Sequence, residues 1–288
     1  MFINDRMNIR GYIKEVIGFL LVKFLYNFVK NKIKVNAIYF HSPSPHLFKS
    51  MIKWYHNKGY RFIDIEEFYL IEKGEKICEN KVVFISFDDG RRSNMDLLTI
   101  CEEYDVPITI FVTTEAVKSG YYWWDIIRKY CNNSEVERVK NISNTELNQI
   151  LSKYSTNDIE RVSIDIKELK MLNNHKLVNI QAHTKTHALL PMCNNLELID
   201  ELQSSKEELE MWLNKKIKYF AYPCGHFSQT EIDAVEEAGY VAAFTTRQNY
   251  LSPGNDNMLL IPRMEINCTG GGYYENMAKA IGVWKFIK

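Results

Sequence analysis

The sequence lacks an excess of charge of either sign. Its 288 residues contain 36 Lys and Arg and 36 Asp and Glu, so the formal net charge is zero. Nucleic-acid-binding surfaces are typically basic, and the chain has no basic stripe interleaved with aromatic residues. We therefore predict no nucleic-acid partner. The length and the 46% hydrophobic content indicate a globular chain with a substantial core.

Cys-x-x-Cys pairs are absent as well. The six cysteines lie scattered at positions 78, 101, 131, 193, 224 and 268. This spacing argues against a zinc ribbon and against a disulfide framework. Because unpaired thiols are typical of the cytosol, we expect a cytoplasmic protein.

Long apolar runs are missing too. In the N-terminal apolar segment, the longest run without a charged residue covers residues 16–22, far below the ~20 residues of a transmembrane helix. No small-x-small cleavage site follows it. We therefore expect neither a transmembrane helix nor a signal peptide.

Residues 1–34 nevertheless predict an N-terminal amphipathic helix. Over residues 11–30 a wide apolar face accompanies a narrow polar stripe of Glu15, Lys23, Asn27 and Lys30. Basic residues flank the apolar face, among them Arg6, Arg10, Lys14 and Lys23. Two interpretations stay open. Residues 11–30 rest on an anionic membrane surface, or the helix packs on its own domain or on a second subunit.

From residue 36 onward, short β-like runs alternate with helical segments. The runs lie at 36–40, 60–65, 82–87, 107–113, 177–181, 219–221, 240–245 and 259–263. About seven or eight parallel strands with intervening helices predict an α/β fold of the βα-barrel type. In such a fold the site lies at the carboxyl ends of the strands.

Residues 120–174 interrupt this rhythm with no clear strand. Helical patterns lie near 145–153 and 157–171. We interpret the stretch as a helical insertion, because it is mostly polar and too short for a good core of its own. Its aromatic cluster at 121–124 is interpreted as local core in preference to a sugar-stacking platform.

Two adjacent carboxylates, Asp88 and Asp89, follow the apolar run that begins at residue 82. Like charges tolerate each other when a cation neutralises one of them, or when one is tuned as a base. A simple Asp-Asp-Gly turn is the alternative.

A histidine pair follows a later β-like run. His183 and His187 are four residues apart, so they share one face if the segment is helical. Two imidazoles and one carboxylate suit zinc or a neighbouring transition metal and leave positions open for water and substrate. Two unrelated surface histidines are the alternative.

A third motif, Tyr-Pro-Cys-Gly at 222–225, follows the β-like run at 219–221. This motif, Ser-Phe-Asp-Asp-Gly at 86–90 and His-Thr-Lys-Thr-His at 183–187 together resemble the polysaccharide deacetylase family over roughly residues 36–266. The resemblance implies a distorted, incomplete (β/α)7 barrel over residues 35–288, carrying the insertion. It also implies one divalent metal, zinc by preference, and as substrate an N-acetylated (or O-acetylated) sugar in a polysaccharide or glycan precursor.

The resemblance also implies residue roles. Asp88 would be the general base, while Asp89, His183 and His187 would bind the metal. A backbone N–H of the turn formed by Tyr222, Pro223, Cys224 and Gly225 would hold the oxyanion.

The usual C-terminal Leu-x-His, which supplies the general acid in the family, is absent. We predict His41 in this role, because it ends the first strand and a barrel brings its first and last strands together. His226, beside the third motif, is the competitor. Arg263 is interpreted as the arginine that orients the base, although a lone arginine before a polar tail is as often a surface residue.

Two other functions stay open. One is metal-dependent hydrolysis of another small amide, such as a ureide. The other is glycan binding without catalysis, against which the four intact residues Asp88, Asp89, His183 and His187 argue. The sequence leaves the sugar, its linkage and the oligomeric state undetermined.

Overall fold

A curled parallel sheet forms the centre of the fold. The computed structural model describes residues 9–254, 257–267 and 271–287, so the predictions for Arg6 and Cys268 lie outside the described residues. The strands are β1 (Val35–Phe40), β2 (Arg61–Ile63), β3 (Val82–Phe87), β4 (Ile108–Val112), β5 (Val178–Ala182), β6 (Tyr219–Ala221), β7 (Ala242–Phe244) and β8 (Met264–Glu265).

Seven strands follow one another in the order β7-β6-β5-β4-β3-β1-β8, and β2 pairs with β3 beside this path. The strand pairs are parallel. A parallel bridge between Phe244 and Ile261 brings the two ends of the order together. This confirms the predicted incomplete seven-stranded barrel.

Alternation along the strands separates two apolar layers. In β3, Val83, Ile85 and Phe87 belong to the layer under the helices, whereas Val82 and Phe84 belong to the barrel interior. Both faces are covered, so the strand reads as a continuous apolar run. Its carboxyl end therefore delivers the following residues to the rim of a rigid scaffold.

Twelve α-helices surround the sheet in the described chain. They are α1 (Ile9–Val29), α2 (Pro45–Asn57), α3 (Ile65–Glu72), α4 (Leu98–Tyr104), α5 (Thr114–Ser119), α6 (Trp123–Tyr130), α7 (Asn133–Val139), α8 (Asn144–Leu151), α9 (Ile166–Asn173), α10 (Asn195–Leu213), α11 (Gln229–Glu237) and α12 (Tyr273–Ala280). Short 3-10 turns cover Arg92–Leu97, Leu190–Met192, Pro223–Gly225 and Trp284–Ile287.

Two predicted elements were wrong in position. The last strand is Met264–Glu265, not 259–263, where Ile261 makes only a single bridge. Pro262 lacks the N–H that a continuous ladder would need. The predicted helix at 157–171 starts only at Ile166, where Asp165 accepts a hydrogen bond from the Glu168 N–H and so caps the helix.

The insertion contains α6 to α9 and no strand, apart from a single bridge between Ser163 and Arg91. Its apolar side chains form a small cluster that Ala116 and Leu189 of the barrel complete. This shared cluster supports the interpretation of the segment as a part of the barrel domain.

Helix α1 packs with one face on α12. Glu15 accepts hydrogen bonds from the backbone N–H groups of Tyr274 (2.8 Å) and Glu275 (3.0 Å) in the first turn of α12. A carboxylate is stabilised there by the helix dipole and by amides that have no partner within the helix. Glu15 is thus not part of a solvated polar stripe, and the interpretation of packing on the same domain holds for this face. Among the described residues, no helix has the length and apolar character needed to cross a membrane.

Gly18 sets the distance between α1 and α12. A Cβ atom at this position would lie 2.5 Å from the carbonyl carbon and oxygen of Tyr274. Gly18→Ala should therefore lower the melting temperature, although alanine favours a helix by ~1 kcal/mol over glycine. Overpacking of this kind costs ~1–3 kcal/mol. Thermal unfolding followed by circular dichroism measures the change.

Asn27→Ala is the matched control, because Asn27 is exposed on the same helix. It should leave the melting temperature unchanged or slightly raised. A raised melting temperature in Gly18→Ala as well would contradict the close contact with α12.

Candidate active site

A cavity of about 320 Å³ opens at the carboxyl ends of the strands. All three sequence motifs and the end of β1 contribute to its lining, through His41, Asp88, Asp89, His183, His187 and Cys224. These residues lie far apart in the sequence. The parallel sheet brings them together because every one follows the end of a strand.

Asp88 forms a buried ion pair with Arg263. The guanidinium donates to both carboxylate oxygens, at 2.7 and 2.8 Å, and to the Ser86 hydroxyl at 3.0 Å. It also lies 4.3 Å from the centre of the Tyr39 ring. Burial is the largest single influence and raises the pKa of Asp88, but the charge and hydrogen bonds of Arg263, together with the neighbouring His183 and His41, hold that pKa below its ordinary value. Asp88 is therefore an ionised carboxylate in a fixed orientation.

Asp89 presents one carboxylate oxygen to the two histidines. Its Oδ2 accepts a hydrogen bond from Arg91 Nε at 3.2 Å. Its Oδ1 is buried without a hydrogen-bond partner among the described residues and lies 3.7 Å from His183 Nε2 and 3.4 Å from His187 Nε2. Residue 89 has φ 75°, a left-handed backbone that turns the side chain toward the histidines.

The three side chains fit a divalent metal. Their ligand atoms all lie within 4.8 Å of one another, and all three residues are buried. Ligands ~2.0–2.1 Å from a tetrahedral zinc lie ~3.3 Å apart, close to the 3.4 and 3.7 Å separations found here. A cation at this point would also satisfy the otherwise unpaired oxygen of Asp89.

His183 is held in the tautomer that a metal needs. Its Nδ1 lies 2.7 Å from the carbonyl oxygen of Ala221. Because a carbonyl can only accept, Nδ1 carries the proton and Nε2 keeps its lone pair. Burial lowers the pKa of His183 to about 4, so the ring is neutral at physiological pH.

The histidine loop, residues 183–187, is not helical, so the two histidines do not meet through a shared helical face. Thr184 has φ 63° and His187 has φ 61°, which excludes a right-handed helix. Buried Glu201 of α10 stabilises the loop by accepting from Thr186 N (2.8 Å) and Thr186 Oγ1 (2.5 Å). Glu201 was not predicted as a site residue, since in the sequence it resembles any other acid of a solvated helix.

The aromatic pair of the insertion is both local core and cavity wall. Trp123 and Trp124 are buried, and both line the cavity. Trp123 Nε1 donates to the carbonyl oxygen of His187 at 3.3 Å, and the Trp124 ring meets the His187 ring edge-on at 4.6 Å. Tyr122 stacks on Trp124 and lies 4.8 Å from the guanidinium of Arg91. The insertion therefore supports the candidate metal site, a role that composition alone did not reveal.

The third motif forms a tight turn, and Cys224 is its member on the cavity lining within the described chain. Cys224 has φ 53°, and a Cβ atom on Gly225 would lie on the Thr246 side chain. The Tyr222 hydroxyl is buried without a partner among the described residues. Pro223 begins the turn and is buried.

The two candidate general acids differ in position. His41 lines the cavity, with its ring 5.7 Å from that of Tyr39. The Asn94 side chain donates to the His41 carbonyl at 2.9 Å, which fixes the backbone at the end of β1. His226 is outside the set of described residues that line the cavity.

Comparison with known proteins gives one family. The polysaccharide deacetylase family profile matches residues 76–243. A poly-β-1,6-N-acetyl-D-glucosamine N-deacetylase of Staphylococcus aureus (strain MSSA476) is 25% identical over 248 residues, which cover 85% of this chain and 74% of that protein.

Solved structures agree in fold. The Streptococcus pyogenes deacetylase PplD in complex with acetate is 18% identical, with a TM-score of 0.64 over 86% of this chain and 97% of that one. The structure of IcaB from Ammonifex degensii is 19% identical, with a TM-score of 0.62 over 86% and 96% of the two chains. The family match covers more than half of the chain and includes the Asp-Asp, histidine and Tyr-Pro-Cys-Gly motifs. The chain therefore belongs to the polysaccharide deacetylase family.

Proposed function

We propose that the protein is a metal-dependent carbohydrate deacetylase that hydrolyses the N-acetyl group of a sugar in a polysaccharide or glycan precursor. The observation that carries the proposal is the convergence, in one cavity, of a carboxylate held by Arg263, three candidate metal ligands and His41. Family membership supports acetylated carbohydrate as the substrate class. The N-deacetylase among the relatives favours an amide over an ester.

Asp88 is the general base in this proposal. Arg263 keeps the carboxylate ionised and fixes its plane. Each carboxylate oxygen has a second lone pair, so the carboxylate can still accept the proton of the water that attacks the acetyl carbonyl. Because the base is already held in position, no entropy is lost in orienting it when the reaction occurs.

Asp89, His183 and His187 bind the metal, zinc by preference. The bound ion would supply Lewis acidity, which lowers the pKa of water and polarises a carbonyl. Three protein ligands leave a coordination position open, as catalytic zinc sites do. Arg91, the Ala221 carbonyl and the two tryptophans orient these ligands.

His41 is the general acid. Histidine exchanges protons readily near neutral pH, and His41 lines the cavity beside Asp88 and Asp89. It protonates the nitrogen that leaves as an amine. The turn at Cys224 supplies a backbone N–H for the negative charge that develops on the acetyl oxygen.

Acetate release from N-acetylglucosamine oligosaccharides tests the function. Wild-type protein should release acetate and expose an equal amount of free amine. Asp88→Asn should reduce the rate by at least ~10²-fold, because the amide cannot take the proton, while metal content stays unchanged. Wild-type rates in this variant would assign the base elsewhere. Opening of a cyclic ureide without acetate release would favour the alternative hydrolase.

Metal content tests the ligand set. Asp89→Ala, His183→Ala and His187→Ala should each lose bound zinc and activity together, as measured by mass spectrometry of the purified proteins. His226→Ala is the matched control and should keep both. Full metal retention by all three ligand variants would contradict the assignment of these residues as ligands.

The general acid is tested by a second pair of variants. His41→Ala should lower kcat by ~10²- to 10⁴-fold with metal content unchanged, the usual contribution of general acid catalysis. His226→Ala should have little effect. If the large loss occurs in His226→Ala instead, the acid lies in the third-motif loop.

A further inference from the structure

The outer face of α1 carries more exposed large hydrophobic side chains than any other helix or strand of the described chain. Seventeen large hydrophobic side chains are exposed among all the described residues. Eight of them lie on this one helix of 21 residues. They are Ile9, Tyr12, Ile13, Val16, Phe19, Leu20, Phe24 and Phe28. Exposed fractions range from 39% for Phe19 to 82% for Ile9. Isolated exposed apolar residues are normal, but a contiguous set of this size marks an interaction surface.

The opposite face of α1 is already occupied. Gly18 and Val29 are buried, and Leu21, Val22, Leu25 and Tyr26 pack against the core of the domain. At about 100° per residue, these positions lie on the side opposite Val16 and Leu20. The helix therefore carries two apolar faces, and the domain covers one of them.

The charges on α1 select an anionic partner. Its charged residues are Arg10, Lys14, Glu15 and Lys23. Glu15, the only acid of the helix, is bound to the amides of α12. Lys23 lies among the exposed aromatic rings, 5.7 Å from Phe19 and 5.6 Å from Phe24. Lys14 Nζ lies 3.7 Å from the Glu275 carboxylate of α12. The charges that α1 leaves on its outer face, Arg10 and Lys23, are thus both positive.

A second copy of this chain fits the face poorly. In a two-fold dimer the same patch lies on both sides. Lys23, and exposed Lys30 one residue beyond the helix, would then face a copy of the same helix face, which offers no free acid. Like charges that meet in an interface are destabilising. A bilayer with anionic headgroups offers both partners that the face needs, since apolar side chains can enter the acyl region while lysines reach the phosphates.

We propose that α1 binds the surface of an anionic lipid bilayer, with its exposed apolar residues inserted and the barrel outside. The helix lies in the plane of the membrane and does not cross it, in agreement with the absence of a spanning helix among the described residues. This assignment depends on the surface of α1 alone and is independent of the proposed reaction.

Vesicle sedimentation tests the proposal with the full chain. Wild-type protein should bind vesicles of phosphatidylcholine and phosphatidylglycerol at low salt and dissociate as salt is raised. The protein should bind pure phosphatidylcholine vesicles at least ~10-fold more weakly, because each basic residue near an anionic surface raises the binding constant about fivefold.

Two variants separate the apolar and the electrostatic contributions. Leu20→Asp/Phe24→Asp and Lys23→Glu/Lys30→Glu should each weaken binding to anionic vesicles by ~10-fold or more. The native side chains are exposed, so the melting temperature should stay close to that of the wild type. Leu196→Asp/Met211→Asp is the matched control, because these residues are 80% and 72% exposed on α10. It should bind like the wild type.

Three outcomes would overturn the assignment. The first is that wild-type protein fails to bind anionic vesicles at low salt. The Leu20→Asp/Phe24→Asp variant could bind as well as the control. Sedimentation velocity could show a wild-type dimer that this variant dissociates, without vesicle binding by either, and the face would then be a subunit interface.

Discussion

The buried pair of Arg263 and Asp88 is the constraint on which the rest of the site depends. Arg263 precedes the last strand and Asp88 follows β3, so the pair joins two distant parts of the barrel within its apolar interior. Leaving one partner of such a pair alone in the interior costs ~3–5 kcal/mol. The same contact thus stabilises the closed sheet and keeps the carboxylate ionised. Arg263 lies beyond residues 76–243, so the family match alone would not have revealed it.

Irregular backbone on a rigid scaffold builds the remainder of the site. Asp89, Thr184, His187 and Cys224 all have positive φ, a conformation that costs energy for residues with a side chain. Neighbouring side chains hold Asp89 and the histidine loop in this conformation. The Tyr122 hydroxyl donates to the Asp89 carbonyl at 3.1 Å, and Glu201 binds the histidine loop from α10. The surrounding structure compensates for local strain at the points where ligands must converge.

The sequence was sufficient for the fold class and for the residue types of the candidate site. Alternating apolar runs locate the strands, and polar residues at strand ends must meet at one rim. The shape of the histidine loop was not predictable, because spacing says nothing about a left-handed residue such as Thr184. The last strand was misplaced because an apolar run at 259–261 resembles a strand until Pro262 is considered. The roles of Glu201 and Trp123 depend on contacts between segments far apart in sequence, which local patterns do not encode.

The position of Arg263 after the other candidate site residues in the sequence determines the order in which the site is completed during biosynthesis. A ribosome completes Asp88, Asp89, His183 and His187 before it adds the arginine that neutralises the first of them. Until then, Asp88 lacks the guanidinium that binds both of its carboxylate oxygens and is costly to enclose as a charged group. A nascent chain, or one truncated before residue 263, therefore has every candidate metal ligand but no stable interior around Asp88. Synthesis of the last strand is the step that completes both the barrel and its charge balance.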